Sequence, residues 1–280
     1  MPSVALAYQK KRHAEGLADT INSGPFDYGV DVISSDGINL YRTLRTNDYE
    51  IVQTDEALRK GAVAALASRD SKMHLCLDIQ GWADYLNSHG KHGLLTSTGV
   101  SIVANSVFRQ SDGIIFVSKA TKEKLEGNFE FTEWRYAMPV FDISRYSGPH
   151  INNGGRFASE ILTVTNLRYE SKLEGIRTIL QAIEPLLKEY DCRYRIAGNG
   201  RYFSQLKEYV KNYQHTDRVD LLGYRGDIPN LLQSADLFVY ASQLDSLGMV
   251  VLEAQAAGLP VIAGDVGGIP EAMGDTGVVC

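Results

Sequence analysis

A chain of 280 residues exceeds the usual size of one compact domain and predicts two, each of roughly 100–200 residues. Hydrophobic residues make up 44% and charged residues 22%, ordinary globular values that exclude a disordered, collagenous or disulfide-scaffold chain. With 28 basic against 34 acidic residues, the net charge of −6 argues against nucleic acid as a partner, because phosphate binding needs basic surface.

In chain order, β-branched runs alternate with helix-length segments, the pattern of βαβ units and parallel sheets. Strands are expected at 4–8, 30–33, 50–53, 74–77, 113–117 and 135–138, and again at 160–165, 194–197, 219–222, 237–240, 260–263 and 277–279. Between the two sets, Ser147-Gly148-Pro149-His150 and Asn152-Asn153-Gly154-Gly155 lack hydrophobic periodicity and mark a connection. The expected organisation is α/β: a first Rossmann-like domain over 1–145, a linker over 146–158 and a second doubly wound domain over 159–280. No apolar run approaches the roughly 20 residues that span a bilayer. The stretch from Met1 to Tyr8 is short and lacks the leading positive charge of a secretory signal, so a cytoplasmic location is expected. Cys76, Cys192 and Cys280 have no metal or disulfide spacing and read as reduced thiols.

The densest chemistry lies between Asp236 and Glu271. Residues 237–240 form a buried strand run, 241–247 are loop-like, and 248–257 have helical composition closed by Gly258. A helix would then begin at the carboxyl end of a parallel strand, where unpaired N–H groups and the helix dipole favour phosphate. Asp245 in the loop and Glu253 two turns into the helix are too far apart for one tight metal cage. They read either as separate hydroxyl acceptors around a ligand or as a helix cap and an exposed helix residue; Glu253 among Val250, Val251, Leu252 and Ala254 favours a partner for its charge.

Four linked segments carry a resemblance: Tyr240-Ala241-Ser242, the run from Asp245 to Ala254, the run from Ala257 to Ala263, and Gly267-Gly268-Ile269-Pro270-Glu271. Together they resemble the retaining glycosyltransferases of family 4, whose GT-B fold sets two Rossmann-like domains facing a cleft. The resemblance implies that Glu253 binds ribose hydroxyls, and that Asp245 with the backbone of Ser246, Leu247, Gly248 and Met249 faces donor sugar and diphosphate. Asp245 stands where the family usually has glutamate. A second matching stretch, from Ile161 to Leu167 followed by Lys172, Gly175 and a helix over 176–187, carries in the family an arginine and a lysine that neutralise the diphosphate. Lys172 matches the lysine, Asn166 occupies the arginine position and Arg168 is the substitute cation; the alternative for Lys172 is a solvated loop lysine.

Gly198-Asn199-Gly200 lacks the third glycine of a dinucleotide fingerprint, because Phe203 stands there; the resemblance reads it as a turn beside the nucleotide. Leu222-Gly223-Tyr224 reads as a further turn. The first half is less specific. Asp78, at an expected strand end, takes the place of a histidine that the family carries near the sugar. The basic run Lys10-Lys11-Arg12-His13 reads as a solvated helix start or as a contact for an anionic lipid-linked acceptor or membrane surface. His89 and His92 have no matched acidic ligands, and no Asp-x-Asp occurs, so no metal is expected.

The resemblance therefore implies a metal-independent retaining transferase that moves a sugar from a nucleoside-diphosphate donor to a glycan or lipid-linked hydroxyl, with front-face attack and the departing phosphate taking the acceptor proton. A noncatalytic nucleotide-sugar-binding partner, and an epimerase or phosphorylase on the same architecture, are the alternatives. The run Gly277-Val278-Val279-Cys280 ends the chain on a strand where a doubly wound domain usually adds a covering helix, so a longer protein is expected.

Overall fold

The computed structural model describes residues 3–8, 11–25, 28–55, 59–68, 72–77, 94–126, 129, 133–139, 142–146 and 159–280. The chain divides into two compact units, Met1–Phe141 and Asp142–Cys280. The division falls four residues before the boundary expected from sequence, so 142–145 go with the second unit; residues 147–158, most of the expected linker, lie outside the described residues.

In the first unit, strands β1 (Ser3–Ala7), β2 (Gly29–Val32), β3 (Ile51–Thr54), β4 (Lys72–Leu77), β5 (Gly113–Phe116) and β6 (Trp134–Tyr136) form a sheet of order β2-β1-β3-β4-β5-β6. Every pairing is parallel. Helices α1 (Lys11–Ser23), α2 (Gly37–Thr46), α3 (Arg59–Ala67), α4 (Leu94–Gln110) and α5 (Lys119–Glu126) connect them. Val4 to Ala7 are all buried, as expected of a strand covered on both faces, and Leu40 and Leu44 turn one side of α2 inward. Phe108, Phe116 and Phe129 fill the core. On α3, the buried Lys60 sends its ammonium to Tyr8 O at 2.8 Å and Ile33 O at 3.4 Å, and lies 3.4 Å from Asp36 Oδ1. It ties together the segments that leave β1 and β2.

The second unit contains β7 (Glu160–Val164), α6 (Glu170–Glu189), β8 (Arg193–Ala197), α7 (Phe203–Lys211), β9 (Val219–Gly223), α8 (Ile228–Gln233), β10 (Leu237–Tyr240), α9 (Met249–Ala256), β11 (Val261–Ala263), α10 (Ile269–Met273) and β12 (Val278–Val279). Its sheet, again parallel in every pairing, runs β12-β11-β10-β7-β8-β9. Numbered within the unit, that is the doubly wound order 3-2-1-4-5-6, with the reversal between β7 and β10. Leu173, Ile176, Leu180, Ile183 and Leu187 make the buried stripe of α6, spaced by three and four. Asp236 pins β10 to β7: its Oδ2 accepts from Ser159 N at 2.9 Å, Ser159 Oγ at 2.8 Å and Glu160 N at 2.9 Å.

One correction concerns α6. It begins at Glu170, six residues before the expected start, so Lys172 and Gly175 are helical and Lys172 is buried rather than a solvated loop lysine. The start is concealed in sequence because Tyr169 takes the N-cap position with no side-chain bond, and Gly175 lowers the apparent helix propensity of the first turns.

Candidate functional site

In doubly wound sheets ligands bind outside the carboxyl ends of the strands where the winding reverses. At that point in the second unit, the segment after β7 and the loop after β10 bring three polar side chains into contact. Lys172 Nζ lies 2.6 Å from Tyr240 Oη and 2.6 Å from Asp245 Oδ2, and Tyr240 Oη donates to Asp245 Oδ2 at 2.6 Å. The side chains of Lys172 and Asp245 are only 1% and 2% exposed, so this is a buried ion pair closed into a triangle by a hydroxyl. Burial, followed by the Asp245 carboxylate, pushes the Tyr240 hydroxyl well above its usual pKa, which keeps it protonated and able to donate.

Asp245 is turned inward. While Oδ2 serves the triangle, Oδ1 accepts from Gly248 N at 2.9 Å and Leu247 N at 3.3 Å, binding the turn that leads into α9. A carboxylate offers about four acceptor positions. With these bonds Asp245 joins the helix-leading turn to Lys172, a geometry nearer to the helix-cap alternative than to the separate hydroxyl acceptor. Its short side chain is what lets it bond its own loop. Of the three ammonium protons on Lys172, two go to Tyr240 and Asp245; the next acceptor, Leu244 O at 3.4 Å, is at the edge of hydrogen-bonding distance.

Close backbone approach holds the surrounding loops. A Cβ on Gly198 would lie 1.8 Å from Thr165 O, and one on Gly267, whose φ is +57°, would lie 1.8 Å from Asp245 O. Gly198 N also donates to Gly223 O at 2.7 Å, while Thr165 N and Leu167 N donate to Ala197 O at 2.9 Å and Asn199 O at 3.1 Å. Gly198 therefore lets the β8 turn press against the segment that carries Asn166 and Arg168.

The remaining expected residues fall around the same edge. Asn166 and Arg168 are exposed on the segment between β7 and α6. Ser246, Leu247 and Gly248 are buried, Met249 is the first residue of α9, and Glu253 is half-buried one turn further along it. Gly248 sits at the helix N-cap with φ +76°. Asp78, His89 and His92 lie outside the described residues. Among the described residues no group of three or more His, Cys, Asp or Glu side chains is arranged to hold a metal ion. Tyr240 belongs to a family-like segment of the sequence but carries no role there. Its signal is a hydroxyl closing an otherwise apolar strand, Leu237-Phe238-Val239-Tyr240.

Residues 158–280 match the model of the family described as glycosyl transferases group 1. That match lies within the second unit. The N-acetyl-alpha-D-glucosaminyl L-malate synthase of Bacillus anthracis is 36% identical over 96 residues, 34% of this chain and 24% of that protein. The alpha-monoglucosyldiacylglycerol synthase of Streptococcus pneumoniae is 25% identical over 223 residues, 74% of this chain and 50% of that protein. These matches thus span half or less of the curated relatives' length. Among solved structures, Anabaena Alr3699/HepE in complex with UDP superposes with a TM-score of 0.74 at 19% identity, covering 100% of this chain and 85% of that one. A sucrose-phosphate synthase from Thermosynechococcus elongatus gives 0.72 at 17% identity, covering 100% and 86%. At such identities the likeness establishes the fold, which is GT-B, the fold of the group 1 transferases. Among the described residues no helix is long and apolar enough to cross a membrane.

Proposed function

We propose that this chain is a retaining glycosyltransferase that takes a sugar from a nucleoside-diphosphate donor and passes it to a hydroxyl of a glycan or lipid-linked acceptor. The observation that carries the reading is the buried Lys172, held at the reversal point of a group 1 unit with one ammonium proton only marginally engaged. As the bond between the anomeric carbon and the diphosphate oxygen breaks, the electron pair leaves with the phosphate. Lys172, Arg168 and the N-terminal end of α9 would stabilise that charge, with no divalent ion required. Glu253 would accept from the ribose hydroxyls. The acceptor hydroxyl would attack from the side the diphosphate leaves and pass its proton to the departing phosphate oxygen, preserving the anomeric configuration.

The names of two relatives support the acceptor class: the alpha-monoglucosyldiacylglycerol synthase, and an Escherichia coli UDP-Gal:alpha-D-GlcNAc-diphosphoundecaprenol alpha-1,3-galactosyltransferase that is 38% identical over 67 residues. An acceptor of that kind would bring the protein to the cytoplasmic face of a membrane. UDP and UDP-glucose complexes of Anabaena Alr3699/HepE point to the donor class to try first.

The test is a panel of UDP-, GDP- and ADP-sugars offered with lipid-linked and free glycan acceptors, read by release of nucleoside diphosphate and by NMR of the new anomeric centre. Transfer with the donor's configuration, insensitive to chelator, is the expected result. Inverted product, or activity lost to chelator and restored by metal, overturns the corresponding part. A second reading, a binding subunit without turnover, is favoured by the saturation of Asp245 within its own protein; donor binding with no release of diphosphate identifies it.

A further inference from the structure

We propose that Tyr240 is the positioning residue of the donor site, acting through Lys172 and Asp245 rather than on substrate. The proposal rests on the reading that Lys172 meets a diphosphate. Lys172 comes from the first turn of α6 and Asp245 from the loop after β10, two carriers separated by 73 residues of chain. Tyr240 ends β10, is 4% exposed, and stacks on Phe238 with ring centroids 6.3 Å apart and planes 13° from parallel. Its hydroxyl is the rigid member of the triangle.

The hydroxyl accepts from Lys172 and donates to Asp245, both at 2.6 Å, and the Lys172 ammonium also lies 5.1 Å from the centre of the tyrosine ring. Without the hydroxyl, a lysine and an aspartate alone form a two-centre pair, in which the ammonium is free to swing about the carboxylate. With it, two of the three ammonium protons are fixed in direction, which sets the direction of the third. A buried pair fixed this way keeps its charge and orientation before a ligand arrives, the condition under which an electrostatic contact helps a departing anion most. Phenylalanine at 240 would keep the stacking and the volume and remove the hydroxyl that joins Lys172 to Asp245, together with its interaction with Thr165.

The experiment compares UDP, GDP and ADP with their nucleosides for binding to the wild-type chain and to Tyr240→Phe, with donor turnover in parallel. The ratio of diphosphate to nucleoside affinity reads Lys172, whereas nucleoside affinity reads Glu253 and the base pocket. Tyr240→Phe should lower that ratio by about tenfold, leave nucleoside affinity unchanged, and lower kcat more than it changes KM. In a Lys172→Met background the same substitution should change the ratio no further, because the lysine it acts through is gone. If Tyr240→Phe fails to fold, 3,5-difluorotyrosine at 240 keeps the shape and weakens the oxygen that accepts from Lys172, and the ratio should still fall. A wild-type ratio that Tyr240→Phe or the fluorinated chain leaves intact overturns the positioning role while leaving the donor reading standing. A wild-type chain that gains nothing from the diphosphate overturns the donor reading and the proposal with it.

Discussion

Lys172 neutralises a carboxylate buried beside it, and in the proposed reading it also meets the donor's diphosphate. A solvated lysine is commonly dispensable for folding, but this one is paired at 2.6 Å with a carboxylate 2% exposed. Lys172→Met should therefore cost about 3–5 kcal/mol of stability through the stranded Asp245 charge, besides lowering turnover. Lys172→Met with Asp245→Asn should recover much of the stability and none of the turnover; equal denaturation midpoints for the single and double variants would contradict this. On the proposed reading, Glu253→Gln should weaken nucleoside affinity by about 1.5–3 kcal/mol as a charge-assisted hydrogen bond is lost, which calorimetric titration measures. The sequence made Lys172, Asp245 and Glu253 legible as residue types at family-like positions. It could not show that the first two face each other, because that contact is made by the sheet order that sets β10 beside β7.

Among the elements, all twelve described strands were legible, the inner ones because parallel strands covered on both faces need β-branched and apolar runs, while β2, β6 and β12 at the sheet edges are exposed or half-buried. Loop geometry was less so, because it depends on which backbones touch. Gly267 shows the difference. It reads as one of many loop glycines, yet a Cβ there would meet Asp245 O at 1.8 Å on a backbone already at φ +57°. Gly267→Ala should displace the Asp245 loop, lowering stability and donor affinity together, since the strain must be relieved by moving the backbone that carries the carboxylate. Gly16, exposed on α1 with nothing within 4 Å of a built Cβ, is the matched contrast. Gly16→Ala should raise stability by about 0.5–1 kcal/mol. Thermal melts of the two variants should shift in opposite directions.

For the whole molecule, the two units should respond differently to ligand and alike to alkali. A nucleoside diphosphate at about 100 times its Kd should stabilise the second unit by about 2.7 kcal/mol. Both tryptophans, Trp82 and Trp134, fall within the first unit, so fluorescence should report a transition that ligand leaves in place while circular dichroism reports one that moves. Tyr49 in the first unit is raised to about 12 by burial and by Asp31, and Tyr213 in the second is raised to about 12 by burial and by Glu184, beside Tyr194 and Tyr240, which burial also raises. Their native states hold protons that the unfolded chain releases near pH 10, so this stabilisation is complete below about pH 10 and is lost as pH rises toward 12. Denaturation midpoints at pH 8, 10 and 11 should fall only across the last interval.

Two lysines buried among the described residues turn this symmetry into a pair of spectroscopic reporters. An ammonium in water exchanges its protons too quickly for its nitrogen to show a proton-coupled NMR signal, but one locked away from solvent exchanges slowly. Lys60 in the first unit and Lys172 in the second are 4% and 2% exposed, and both are bonded to protein oxygen. Each should give a visible proton-coupled 15Nζ resonance at neutral pH in the native chain, assignable by loss in Lys60→Met or Lys172→Met. Titration with a nucleoside diphosphate should then shift the Lys172 signal and leave that of Lys60 where it was, so that one lysine gauges occupancy and the other serves as an internal reference, without a label on the ligand.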